Sequence, residues 1–133
     1  MDDRYAIPCL ADGVLFDSIL EIEENGLCRI FFKMGDESIT TEADNYFYAL
    51  IKLRKKLEAE DKKLLCLGCA RDVYPSPMML DMGDGSRAYH LTLGKKAKMN
   101  EIVSIFEPCE QDAYSTIEEQ EAFYNAWASG PKE

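Results

Sequence analysis

The spacing Cys66-Leu67-Gly68-Cys69 is the strongest chemical signal in the chain. A CxxC pair does redox chemistry when it opens a helix, because the helix N-terminus stabilises a thiolate. Here Ala70-Arg71-Asp72-Val73-Tyr74-Pro75 follows, which is not a helical start. Structural zinc takes four ligands, commonly from two such pairs. The other cysteines (Cys9, Cys28, Cys109) and the single His90 have no matching spacing. Cys66 and Cys69 therefore read as buried thiols of a short apolar strand. His90 titrates near neutrality and could be a general base. Its neighbours Tyr89 and Leu91 supply neither a nucleophile nor a partner to orient the ring. Asp81-Met82-Gly83-Asp84-Gly85 lacks the alternating oxygens and closing glutamate of a calcium loop, and reads as a turn. There is no glycine-rich phosphate loop. The expectation is a non-enzymatic protein with no metal and no cofactor. The alternative is a small-molecule or metal-binding protein, or an enzyme of unrecognised type, using Cys66, Cys69 and His90.

Local patterns predict the elements that carry these residues. Asn25-Gly26 joins Val14–Glu23 to Leu27–Met34 and marks a type I′ hairpin. In the second of these strands Cys28, Ile30, Phe32 and Met34 share one face, expected to be core. Asp12-Gly13 marks an earlier turn behind a strand from Arg4 to Leu10, which Pro8 would confine to a sheet edge. Thr41 with Asp44 resembles a capping box, so a helix is expected over residues 41–59. Tyr46, Phe47, Leu50, Leu53 and Leu57 form its apolar stripe. Lys52, Arg54, Lys55 and Lys56, followed by Glu58, Glu60 and Asp61, form a solvated face.

Beyond this helix, Leu64–Ala70 reads as a buried strand and Tyr74-Pro75-Ser76-Pro77 as a loop. Met78–Met82 and Arg87–Leu93 read as strands joined at Asp84-Gly85, with Ile102–Phe106 as a further strand. Ser115 or Thr116 caps a helix to about Ser129, anchored by Ile117, Phe123 and Trp127, with Thr116 and Glu119 as its capping box. The fold class expected is α+β, a mostly antiparallel sheet of five to seven strands with two helices packed on it. At 133 residues the chain reads as a single domain, 1–133.

The net charge is −10. It argues against nucleic-acid binding, where affinity comes from Lys and Arg releasing counterions, and against an anionic membrane surface. The acidic start leads into no apolar stretch of signal-peptide length, and five cysteines suit reduced thiols, so a cytoplasmic location is expected. The charge is segregated. Residues 1–51 carry 11 acids and 3 bases, residues 52–98 carry 6 and 11, and residues 99–133 carry 8 and 1. Two acidic ends thus enclose a basic middle. Their acidic residues would include Glu21, Glu23 and Glu24 at the first hairpin and Glu107, Glu110 and Asp112 after the last strand. Such a surface steers a basic partner. Tyr74 and Met78 on the proline-rich loop are expected as exposed contacts beside it, since interface hot spots favour aromatics.

Two stretches, Phe31–Thr41 (FFKMGDESITT) and Tyr74–Gly85 (YPSPMMLDMGDG), give the central two thirds of the chain a family likeness. The chain resembles small acidic bacterial immunity proteins that accompany polymorphic and contact-dependent growth-inhibition toxins. The resemblance implies a cytoplasmic protein that binds and blocks one cognate toxin domain. Many such toxins are basic nucleases, whose clefts an acidic immunity protein can cover. It transfers no individual contact residue.

Overall fold

A computed structural model describes residues 4–133. The protein has an α+β fold. Its first half is a meander of β1 (Arg4–Ala11), β2 (Val14–Asn25), β3 (Leu27–Met34) and β4 (Glu37–Ala43), followed by α1 (Tyr46–Ala59) and β5 (Lys62–Leu64). These strands form one antiparallel sheet of order β4-β3-β2-β1-β5. The second half contributes β6 (Val73–Tyr74), α2 (Pro77–Asp81), β7 (Arg87–His90), β8 (Ile102–Ser104) and α3 (Ile117–Ser129). Here β6, β7 and β8 make a separate three-stranded antiparallel sheet.

Alternation along the strands decides which face of the large sheet is inside. Ile7 and Cys9 of β1, Ser18 and Leu20 of β2, and Cys28, Ile30 and Phe32 of β3 are all buried. Helix α1 lays Tyr46, Phe47, Leu50, Leu53 and Leu57 against that face. The sheet curls around the helix until its two edges meet, with Lys62 of β5 donating to Glu37 of β4 at 2.7 Å. The buried cluster continues into the second half through Val73, Ala88, Ile105 and Phe106. Phe106 joins the halves, stacking on Tyr5 at 5.1 Å and meeting Tyr46 edge-on at 5.8 Å.

Several expected elements fall elsewhere, each for a local reason. The type I′ geometry belongs to Asp12-Gly13, where both residues have positive φ, and at the second hairpin only Gly26 does. Strand β1 is not an edge strand. β5 pairs with its last three residues, and Pro8, just short of that ladder, offers its carbonyl to the Leu65 N–H. Thr40 and Thr41 lie in β4, where β-branched side chains fit the pleat. The helix begins behind Asn45, whose Oδ1 accepts from the Tyr48 N–H. Residues 64–70 are not one strand. β5 ends at Leu64 and the chain turns through a 3₁₀ turn at Leu67–Cys69. Residues 77–81 are helical because Ser76 caps the Met79 N–H and Pro77 occupies the first helical position. Asp84-Gly85 is therefore no hairpin turn, and the Asp84 carbonyl instead accepts from Tyr46 N–H at the start of α1.

Candidate partner-binding surface

The CxxC lies in the core. Cys66 and Cys69 are both fully buried, with their sulfurs 3.6 Å apart across the 3₁₀ turn. The hydrogen bond to Cys69 and burial push the Cys66 thiol well above its ordinary range. Burial also raises Cys69, but the bond from Cys66 and the positive charge of Arg54 outweigh it.

Arg54 was expected on the solvated face and is instead 1% exposed. Its place in the apolar stripe, four residues after Leu50, puts it inside. The guanidinium donates to Gln120 Oε1 at 2.6 Å and to the carbonyls of Ser115 at 2.9 Å and Gly68 at 3.3 Å. Gln120 Nε2 donates in turn to the carbonyls of Gly68, Ala70 and Val73. Glu58 lies 3.8 Å from Arg54 Nε and accepts from the Ile117 N–H at the start of α3. These groups tie α1, the CxxC turn and α3 together.

That knot positions the acidic segment after β8. Residues 107–115 run beside residues 65–71, pinned by main-chain hydrogen bonds. Leu67 N–H donates to Glu107, Cys109 N–H to Leu65, Arg71 N–H to Ala113 and Ser115 N–H to Cys69. Bridges at Cys66–Pro108 and Ala70–Tyr114 complete the strap. Glu107, Glu110 and Asp112 project from it into solvent. Among the described residues, none of the three carboxylates enters a salt bridge. Asp112 also lines a polar cavity of about 320 Å³ together with Arg71, Asp72, Ser115 and Glu119. The Ser115 Oγ is buried and, among the described residues, has no hydrogen-bond partner. Sequence reasoning missed this cavity, because its residues come from three segments that no motif links.

The other expected contacts divide. Glu21, Glu23 and Glu24 are exposed at the far end of β2. Arg29 forms ion pairs with Glu23 at 3.0 Å and with Glu42 at 2.8 Å, which partly neutralises that hairpin. Asp2 and Asp3, counted with the amino-terminal acids, lie outside the described residues. The amino-terminal sheet and the segment before the strap touch at Tyr5. It pairs with Leu20, next to Glu21, and stacks on Phe106, next to Glu107. Met78 is exposed as expected, at 69%, although on α2 rather than on a loop. Tyr74 is not an exposed contact. Half-buried in β6, it is stacked on Tyr124 at 4.1 Å and edge-on to Phe47 at 5.1 Å.

His90 sits exposed at the end of β7, with Nε2 2.8 Å from Asp72 Oδ2. The structure gives Cys66 and Cys69 each other as partners in the core and gives His90 a carboxylate at the surface. Among the described residues, no three His, Cys, Asp or Glu side chains are gathered as a metal site. Likewise, no helix among them is long and apolar enough to cross a membrane. No protein-family model matches the chain, and no curated protein matches it.

Proposed function

We propose that the protein is a non-enzymatic binding module for a basic protein partner, most concretely an immunity protein that neutralises a cognate toxin domain. The observation that carries this reading is the pinned strap with its exposed carboxylates at Glu107, Glu110 and Asp112, none of which enters a salt bridge among the described residues. Exposed carboxylates on a mobile loop lose entropy when a partner orders them. Carboxylates on a segment hydrogen-bonded along its length are already in place. Their field accelerates encounter with a basic surface by about 10–10³-fold at low salt. The likeness of residues 31–41 and 74–85 to acidic immunity proteins supplies the toxin domain as the partner.

Co-expression with the product of the adjacent open reading frame tests the reading. The expected result is a 1:1 complex, growth of cells that the partner alone would arrest, and an association rate that falls with ionic strength. Reversal of the strap (Glu107→Lys, Glu110→Lys, Asp112→Lys) is expected to slow association about tenfold or more, with unchanged circular dichroism. A partner that neither co-elutes nor is neutralised overturns the proposal.

A further inference from the structure

Strand β2 outruns its neighbour. It pairs with β1 from Val14 to Glu21, but with β3 only from Ile19 onward, because β3 ends at Met34 and turns into β4. The tight turn at Asp12-Gly13 makes Ala11 and Val14 a hydrogen-bonded pair, and such pairs then alternate along the ladder. Val14, Phe16 and Ser18 therefore direct their main-chain groups to β1. Leu15 and Asp17 direct theirs to the other side, where β3 has already ended. Pro8 fixes this phase, since it stands opposite Asp17 and its carbonyl points away from β2 to the Leu65 N–H. Among the described residues, nothing hydrogen-bonds the main-chain N–H and C=O groups of Leu15 and Asp17. Such an edge is ordinarily blunted by lysine, proline, a bulge or a covering loop. Here the segment reads Val14-Leu15-Phe16-Asp17, and its three apolar side chains are 46–57% exposed. An extended segment that adds to the sheet completes groups of this kind.

The charge around the edge selects the occupant. Asp17 lies on it, Asp12 sits in the turn before Val14, and Asp36 sits in the turn that ends β3. All three are exposed, and none enters a salt bridge among the described residues. Against them stand Lys33, opposite Ile19, and Lys63, on the far side of β1 opposite Leu10. Lys62 is already paired with Glu37 and Glu60. The surroundings are therefore acidic. A second copy of this chain would bring the same acids and a further −10, which repels. We propose that the Val14–Asp17 edge of β2 receives an extended segment of the basic protein partner, added as an antiparallel strand with a lysine or arginine opposite Asp17. The assignment rests on the binding-module reading above and gives it a place where main-chain hydrogen bonds form. The acidic strap is close by. Cys109 of the strap donates to Leu65, Leu65 donates to Pro8, and Pro8 stands opposite Asp17, each step about one strand spacing of 5 Å.

The probe is the peptide acetyl-Thr-Arg-Val-Leu-Thr-amide, read by amide chemical shifts of the ¹⁵N-labelled protein. The expected result is saturable shifts centred on Val14–Ser18, with binding about fivefold or more weaker when glutamate replaces the arginine. N-methylation of the arginine, whose N–H faces Asp17, is expected to abolish binding. N-methylation of the valine, whose N–H faces away, leaves it. Leu15→Pro removes an edge N–H that β1 does not use, so the fold stays and the peptide binds about tenfold more weakly. If that variant does not fold, Asp17→Lys, which keeps every main-chain group, is expected to reverse the preference for arginine over glutamate. No shift at the edge, equal binding of the two N-methylated peptides or of the arginine and glutamate peptides, or a wild-type dimer that Leu15→Pro dissolves, overturns the assignment. If a neutralised partner binds wild type and Leu15→Pro equally, the edge fails while the binding-module reading stands. If the edge takes the peptide and no partner is neutralised, the binding-module reading fails instead.

Discussion

Arg54 shows how much a single position decides. A guanidinium at 1% exposure would be costly without partners. It has three acceptors, and one of them, Gln120, is itself buried and bonds the carbonyls of Gly68, Ala70 and Val73, so that the network adds two further carbonyls. Arg54→Met keeps the volume but strips the charge, leaving the Gln120 oxygen and the Ser115 carbonyl without a donor. The expected cost is about 3 kcal/mol, read as a lower urea midpoint. A variant as stable as wild type would show that water replaces the guanidinium. Helical spacing puts Arg54 on the same stripe as Leu50, Leu53 and Leu57, but its charge, among Lys52, Lys55 and Lys56, reads as a solvated face. Its partners were not legible, because Gln120 lies 66 residues away and only folding brings it near.

At the scale of elements, the strongly patterned pieces were legible. The alternation of β3, the stripe of α1 and the capping box of α3 need only neighbours in sequence, and each appears where expected. The misread elements are those in which two local signals compete. Thr41 looks like a cap, but Ile39-Thr40-Thr41 also favours a strand, and the ladder with β3 decides for the strand. Ser76-Pro77 is a helix start whose prolines look like a loop.

The CxxC turn is the clearest product of packing. A Cβ on Gly68 would stand 2.5 Å from Leu50 Cδ2 and 2.9 Å from Ile105 Cβ. Only glycine lets the turn press onto α1 and offer its carbonyl to Arg54 and Gln120. Gly68→Ala is therefore expected to cost about 2 kcal/mol by overpacking. Thermal unfolding checks this, and a wild-type midpoint would mean the helix can withdraw.

Across the whole molecule, the thiols couple stability to alkaline pH. Burial, the largest cause in each case, raises Cys9 and Cys28 from 9.0 to about 11 and Cys109 to about 12. The folded protein thus keeps protons that the unfolded chain releases above pH 9. Their contribution to stability is whole below that pH and is lost as pH rises through 11 to 12. Urea midpoints should fall between pH 8.5 and 11, and Cys28→Ala should lessen the fall. A flat profile would place these thiols in solvent.

The sequence by itself determined the α+β class, the first two hairpins, the two long helices and an acidic total of −10. Those follow from periodicity, turn chemistry and composition, which act between residues close along the chain. Only the tertiary structure decided that the CxxC is interior, that Tyr74 is packed in a ring stack, and that a strap of carboxylates lies pinned beside residues 65–71. It also brought Tyr74 of β6 and Tyr124 and Trp127 of α3 into one run of stacked rings. Each of these depends on contacts between segments tens of residues apart, whose approach is set by how the core packs.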